Sequence, residues 1–265
     1  MVRWFSMAAG VVFPCMAEVR STHASAELLQ SSKGYQAGSP VEVALRLSID
    51  EGWHTYWVNP GEAGMPLSVE WTLPDGWVAG PLLHPAPERF TTGGLSGFGY
   101  SGEVVIPVFL TAAPEASGEV GIRAEVRWLT CSDASCVAGE AVLEASWVEG
   151  VVGPGKDADE IASALEMVPR PLKGAALHVE PLAERLRLEL TLPGGLDPTG
   201  SRVFPVTAEV IDAAESIEFR ADQGKWRAEV ETGDYVSEPV EELELVITGG
   251  GIDKPLLVGW TAAQE

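Results

Sequence analysis

The sequence has little of what most enzyme chemistry needs. Its 265 residues include only three cysteines (Cys15, Cys131 and Cys136) and four histidines. Beyond residue 26 only His54, His84 and His178 remain, too few to complete an ordinary four-ligand zinc site without the cysteines. Basic residues are scarce: Lys+Arg number 17 against 39 Asp+Glu, a formal charge of −22. A field of that sign repels nucleic acid and anionic membrane surfaces, so neither is expected as a partner. No apolar run after Ala26 is long enough to cross a bilayer, so no membrane span is expected in the mature chain. No cofactor is expected either.

What is present is enough to fold. Hydrophobic residues make up 46% and charged residues 21%, and the length suits one large domain or two of ordinary size. The first 26 residues read as a secretory signal. Arg3 is followed by an apolar run from Trp4 to Ala17, and small residues offer cleavage at Cys15-Met16-Ala17 or at Ala24-Ser25-Ala26. Acylation of Cys15 fits less well, because Phe13-Pro14 is a poor small-residue approach to it. The expected location is the periplasm, an oxidising compartment.

Period-2 alternation dominates the rest. Val41, Val43, Leu45, Leu47 and Ile49 alternate with polar residues, as do Val120, Ile122, Ala124, Val126 and Trp128. Such runs are half-buried antiparallel strands. Further strands are expected at 104–110, 141–148, 186–192, 203–211, 225–230, 241–247 and 256–260. One helix is expected over 157–168: Ile161, Leu165 and Val168 share a face, acids crowd its first turn, and Pro169 stops it. The expected fold is mainly β, two immunoglobulin-like antiparallel β-sandwiches joined by a short helical linker. Expected boundaries are a signal over 1–26, a first sandwich over 27–150, and linker plus second sandwich over 151–265.

Cys131 and Cys136 sit between two strand patterns, at a hairpin-like turn that a partner could reach. On the residues alone three readings stand. A staple closing so short a loop would stabilise by only about 2 kcal/mol on the chain-entropy model. A redox-active pair would exchange through mixed disulfides. Two thiolates would also suit copper(I). Asp133 and Glu140 either raise the cysteine pKa values or are solvated turn residues. Trp53, Tyr56 and Trp57 read as core aromatics, and His54 and His84 have no evident catalytic partner.

Longer motifs carry a resemblance. Gly52-Trp53-His54-Thr55-Tyr56-Trp57 through Met65-Pro66, Pro85-Ala86-Pro87-Glu88-Arg89-Phe90, Phe98-Gly99-Tyr100-Ser101-Gly102-Glu103, and the cysteine segment with its Val137-Ala138-Gly139-Glu140-Ala141 tail occur in order. Together they resemble the N-terminal domain of the thiol:disulfide interchange protein DsbD family, over roughly Glu27 to Glu149. The second half resembles a further β-domain of larger relatives only through its pattern and Val203-Phe204-Pro205.

The resemblance implies an immunoglobulin-like sandwich with a redox-active Cys131/Cys136 pair. Cys136 would attack the partner disulfide and Cys131 would resolve the mixed species. It also implies a cap loop over the pair, matching Phe90 to Tyr100, with Phe90 or Phe98 as the shielding ring and Tyr100 nearby. The glycines at 93, 94, 97 and 99 suit movement. Implied partners are a membrane electron transporter and thioredoxin-like or cytochrome c maturation proteins. Full-length relatives continue into a membrane domain and a thioredoxin domain with its own Cys-x-x-Cys. Neither occurs before Glu265, so the expected role is a relay fed by separate proteins.

Overall fold

The computed structural model describes residues 19–21, 23–151, 153–233 and 239–262. The apolar run at 4–17 and Cys15 lie outside them. The chain is mainly β, as the alternation predicts, with one short helix.

The first half contains β1 (Val19–Ser21), β2 (Ala24–Gln30), β3 (Gly34–Tyr35), β4 (Pro40–Ile49), β5 (Thr55–Gly61) and β6 (Ser68–Thr72). It continues with β7 (Val78–Ala79), β8 (Glu88–Thr92), β9 (Leu95–Tyr100), β10 (Glu103–Thr111), β11 (Glu119–Cys131) and β12 (Cys136–Glu149). Strands β1-β2-β4-β10-β7 form one sheet and β3-β12-β11-β6 a second. Their inward residues, among them Leu45, Leu47, Ile106, Val126, Trp128 and Leu143, share one buried cluster. A third sheet, β5-β9-β8, lies at one end and supplies Trp57, Phe98 and Tyr100 to that cluster.

Helix α1 (Ala158–Glu166) is docked on the first half rather than spanning free between halves. Ile161 is wholly buried against Leu29 and Ala44. Arg46 on β4 pairs with Glu160 of the helix and with Glu27 of β2. Asp157 accepts the Gln30 backbone N–H at 3.0 Å instead of capping its own helix.

The second half holds β13 (Arg170–Pro171), β14 (Ala176–Leu182), β15 (Arg185–Thr191), β16 (Arg202–Pro205), β17 (Arg220–Asp222), β18 (Lys225–Glu231), β19 (Glu242–Gly249) and β20 (Ile252–Thr261). They form two sheets, β13-β20-β19-β16 and β14-β15-β18-β17. Leu186, Leu188 and Leu190 of one sheet meet Leu243, Leu245 and Ile247 of the other in a separate core.

Two sequence expectations are corrected. The strand expected over 203–211 ends at Pro205. Beyond it Val206 N–H still donates to the Glu244 carbonyl at 2.8 Å, regular pairing with β19 then ends, and the chain runs on to the 213–215 segment, whose carbonyls meet the first half as described below. The glycine-rich segment 90–100 is not a loop but mostly a β-hairpin, β8 and β9, turning through Gly93 and Gly94, both at positive φ.

Candidate functional site

The site is built at the closed end of the longest hairpin. Strands β11 and β12 pair from Glu119↔Val148 up to Cys131↔Cys136, and Ser132 N–H donates to the Ser135 carbonyl at 2.9 Å to close the turn. The backbone of Cys131 is engaged elsewhere. Its N–H donates to the His54 carbonyl and its carbonyl accepts the His54 N–H, both at 2.9 Å. Cys131 and Cys136 are therefore a non-hydrogen-bonded cross-strand pair, the kind in which side chains lie closest. Their Cα atoms are 4.1 Å apart and a disulfide joins them.

The two sulfurs differ in environment. Cys131 is wholly buried, whereas Cys136 is exposed. Asp133 and Glu140 are exposed, in keeping with solvated residues at and beside the turn.

A stack of aromatic rings is built on His54, the register neighbour of Cys131. His54 lies beside Cys131 by register, and the Phe90 ring sits on its imidazole with centroids 3.6 Å apart. Tyr56 meets both rings edge-on, at 5.5 Å from each. The Thr92 hydroxyl lies 3.0 Å from His54 Nε2. Burial lowers the His54 pKa, and Asp133 opposes that shift.

The glycines of this hairpin answer to steric need. A Cβ on Gly97 would run into the Phe90 ring, and one on Gly99 into the Thr55 carbonyl. Only by lacking Cβ atoms can β9 lie this close beneath the ring and beside β5.

The predicted cap residues separate. Phe90 is half-buried over His54, while Phe98 is fully buried in the core against Phe204. Tyr100 is also buried, its hydroxyl donating to the Pro85 carbonyl at 2.9 Å. Burial raises the Tyr100 pKa and pulls His84, which lies beside that hydroxyl, down to about 4. Trp57 is core, Tyr56 is buried against Phe90, and Trp53 stacks on His23 at 3.7 Å. Sequence reasoning missed His54. Its signal was present in the alternation of Trp53 to Trp57, which puts His54 and Tyr56 on one face.

Among the described residues no group of three or more His, Cys, Asp or Glu is arranged to hold a metal, and no helix is long and apolar enough to cross a membrane.

A β-fold presenting a half-exposed disulfide at a hairpin tip, beside a stack of aromatic rings on His54, defines a disulfide-bearing β-domain. Residues 25–146 match the family model of the thiol:disulfide interchange protein DsbD N-terminal domain. A search of the curated proteins finds no match. Among solved structures, the N-terminal periplasmic domain of ScsB from Proteus mirabilis is similar over 92% of this chain and 95% of its own, with TM-score 0.68 and 20% identity. That likeness extends the shared fold into the second half. The YadV chaperone (8% identity, TM-score 0.25, 89% of this chain and 100% of its own) and Spo0M from Bacillus subtilis (9%, 0.25, 91% and 91%) are too different in shape to inform the site.

Proposed function

We propose that this chain is a periplasmic thiol–disulfide exchange protein that relays electrons from a membrane transporter to thioredoxin-like or cytochrome c maturation partners. The observation that carries the reading is the asymmetry of the disulfide, Cys136 exposed and Cys131 buried, within a domain that matches the DsbD family model. In the reduced protein the Cys136 thiolate attacks a partner disulfide. A Cys136–partner disulfide forms, and one partner thiolate leaves. Cys131 then loses its proton and attacks the Cys136 sulfur, which releases the second partner thiolate and re-forms the internal disulfide. Two electrons pass to the partner.

Phe90 acts as the shield, while Phe98 and Tyr100 support the hairpin from its core side. Both halves are immunoglobulin-like sandwiches. Export uses the upstream cleavage site near Ala17, because Ala24 and Ala26 are buried in β2 and cleavage after Ala26 would remove strand pairing with β4. The name of the ScsB structure, a periplasmic domain, supports the location.

The test is Cys131→Ser, incubated with an oxidised thioredoxin-like protein. A disulfide-linked adduct that persists on non-reducing gels is expected, and none with Cys136→Ser. An internal pair that stays oxidised below about −300 mV would return the disulfide to a structural role.

A further inference from the structure

The hairpin over the disulfide has two working faces, and only one has a role so far. Side chains alternate along a strand, so on β8 Phe90 points to His54 while Arg89 points the opposite way. Register pairs Arg89 with Phe98, and the guanidinium carbon lies 4.9 Å from the centre of that ring. This second face meets the other half of the molecule. Arg89 donates to the Ala213 carbonyl through one guanidinium nitrogen and to the Glu215 carbonyl, at 2.8 Å, through another. Phe98 packs edge-on against Phe204, at 5.7 Å, and Trp57 meets the same ring from β5. Beside them Asn59 of β5 donates its amide N–H to the Pro205 carbonyl at 2.8 Å and accepts the Gly61 N–H at 3.0 Å. The Pro205 carbonyl is free for this contact because β16 is the edge strand of its sheet, and those at 213 and 215 lie beyond the strand.

We infer that the second half acts as the anchor of the cover: Arg89, a positioning residue, ties the β8–β9 hairpin to the 213–215 segment and so sets how readily Phe90 leaves the disulfide. The inference rests on the reading of Phe90 as a shield. Nothing in the hairpin's own pairing requires the second half, since β8 and β9 pair with each other and with β5. An exchange partner that lifts Phe90 would have to strain or release the interdomain contact. Such a partner would read both halves of the chain, not the cysteine loop alone.

The test uses the oxidised full mature chain and dithiothreitol, whose two thiols become a cyclic disulfide as Cys131–Cys136 becomes two thiols. No protein partner is needed, so a failure of the relay reading leaves this measurement intact. Arg89→Ala is expected to make reduction about tenfold faster, since two hydrogen bonds from a charged donor are lost, with a fall of only a few degrees in the unfolding temperature. In a Phe90→Ala background, already uncovered, adding Arg89→Ala should change the rate less than twofold. An unchanged or slower rate in Arg89→Ala overturns the inference. So does an equal acceleration with and without Phe90, which would mean that Arg89 acts through general stability and not through the cover.

Discussion

Each half of the molecule is organised around a long antiparallel hairpin, and the two tips differ. The β19–β20 tip turns through Gly249 and Gly250, both at positive φ, and packs its backbone on the 197–201 segment, with Gly251 N–H donating to the Asp197 carbonyl at 3.2 Å. The β11–β12 tip instead carries two cysteines on a non-hydrogen-bonded pair, has its free backbone edge taken by His54, and lies beside a second hairpin. Hairpin geometry is common to both. What distinguishes the first is that aromatic side chains pack on its backbone neighbour His54, and that one sulfur remains reachable.

The largest expected effect contrasts the bodies of the two hairpins. Trp128 on β11 is wholly buried, so Trp128→Ala should cost about 3–5 kcal/mol in urea unfolding. Trp260 on β20 is half-buried, and Trp260→Ala should cost about 1 kcal/mol. Equal losses would break the contrast.

Acid should separate the halves next. His84, in the first half, has its folded pKa lowered to about 4 by burial. The unfolded chain therefore binds this proton first as pH falls. Stability from this group is complete above about pH 6.5, declines as pH drops towards 4, and is flat below that, a loss of up to about 3 kcal/mol. His84→Asn should flatten that slope in unfolding curves measured at pH 7, 5.5 and 4.5.

Reducing Cys131–Cys136 should lower stability by about 2 kcal/mol, given the sequence separation of 5. The loss should appear in hydrogen exchange at the β11–β12 tip and leave β19–β20 unchanged. The smallest effect compares turn glycines. Gly250→Ala combines φ +61 with a Cβ 2.7 Å from the Thr199 carbonyl oxygen and should cost about 2 kcal/mol in urea unfolding. Gly93→Ala, at φ +58 in open space, should cost about 1 kcal/mol.

Much of the framework was legible. The alternations at Val41–Ile49 and Val120–Trp128 became β4 and β11, and the helix expected at 157–168 became α1, because burial of one face writes its period into the sequence. The small sheet β5-β9-β8 was not legible. Gly97 and Gly99, which read as freedom to move, are instead places where Phe90 and the Thr55 backbone leave no room for a Cβ. The run Val203–Ile211 also misled, since its hydrophobic pattern continues after Pro205 while its regular pairing with β19 ends there and Ile211 bridges to Thr232 instead.

By itself the sequence determined that the chain is mainly β, where its long strands lie, and that Cys131 and Cys136 face each other across a short turn. Those properties depend on neighbours a few residues away. Only the tertiary structure decided that Cys131 is buried and Cys136 exposed, that Phe90 rather than Phe98 stacks on His54, and that Arg89 bonds the 213–215 segment of the second half. Each of those depends on segments distant in the chain, such as Thr92 with His54 across 38 residues and Arg89 with Ala213 across 124. Local pattern cannot specify them, because which of two alternating faces meets which partner is settled only when those partners are packed together.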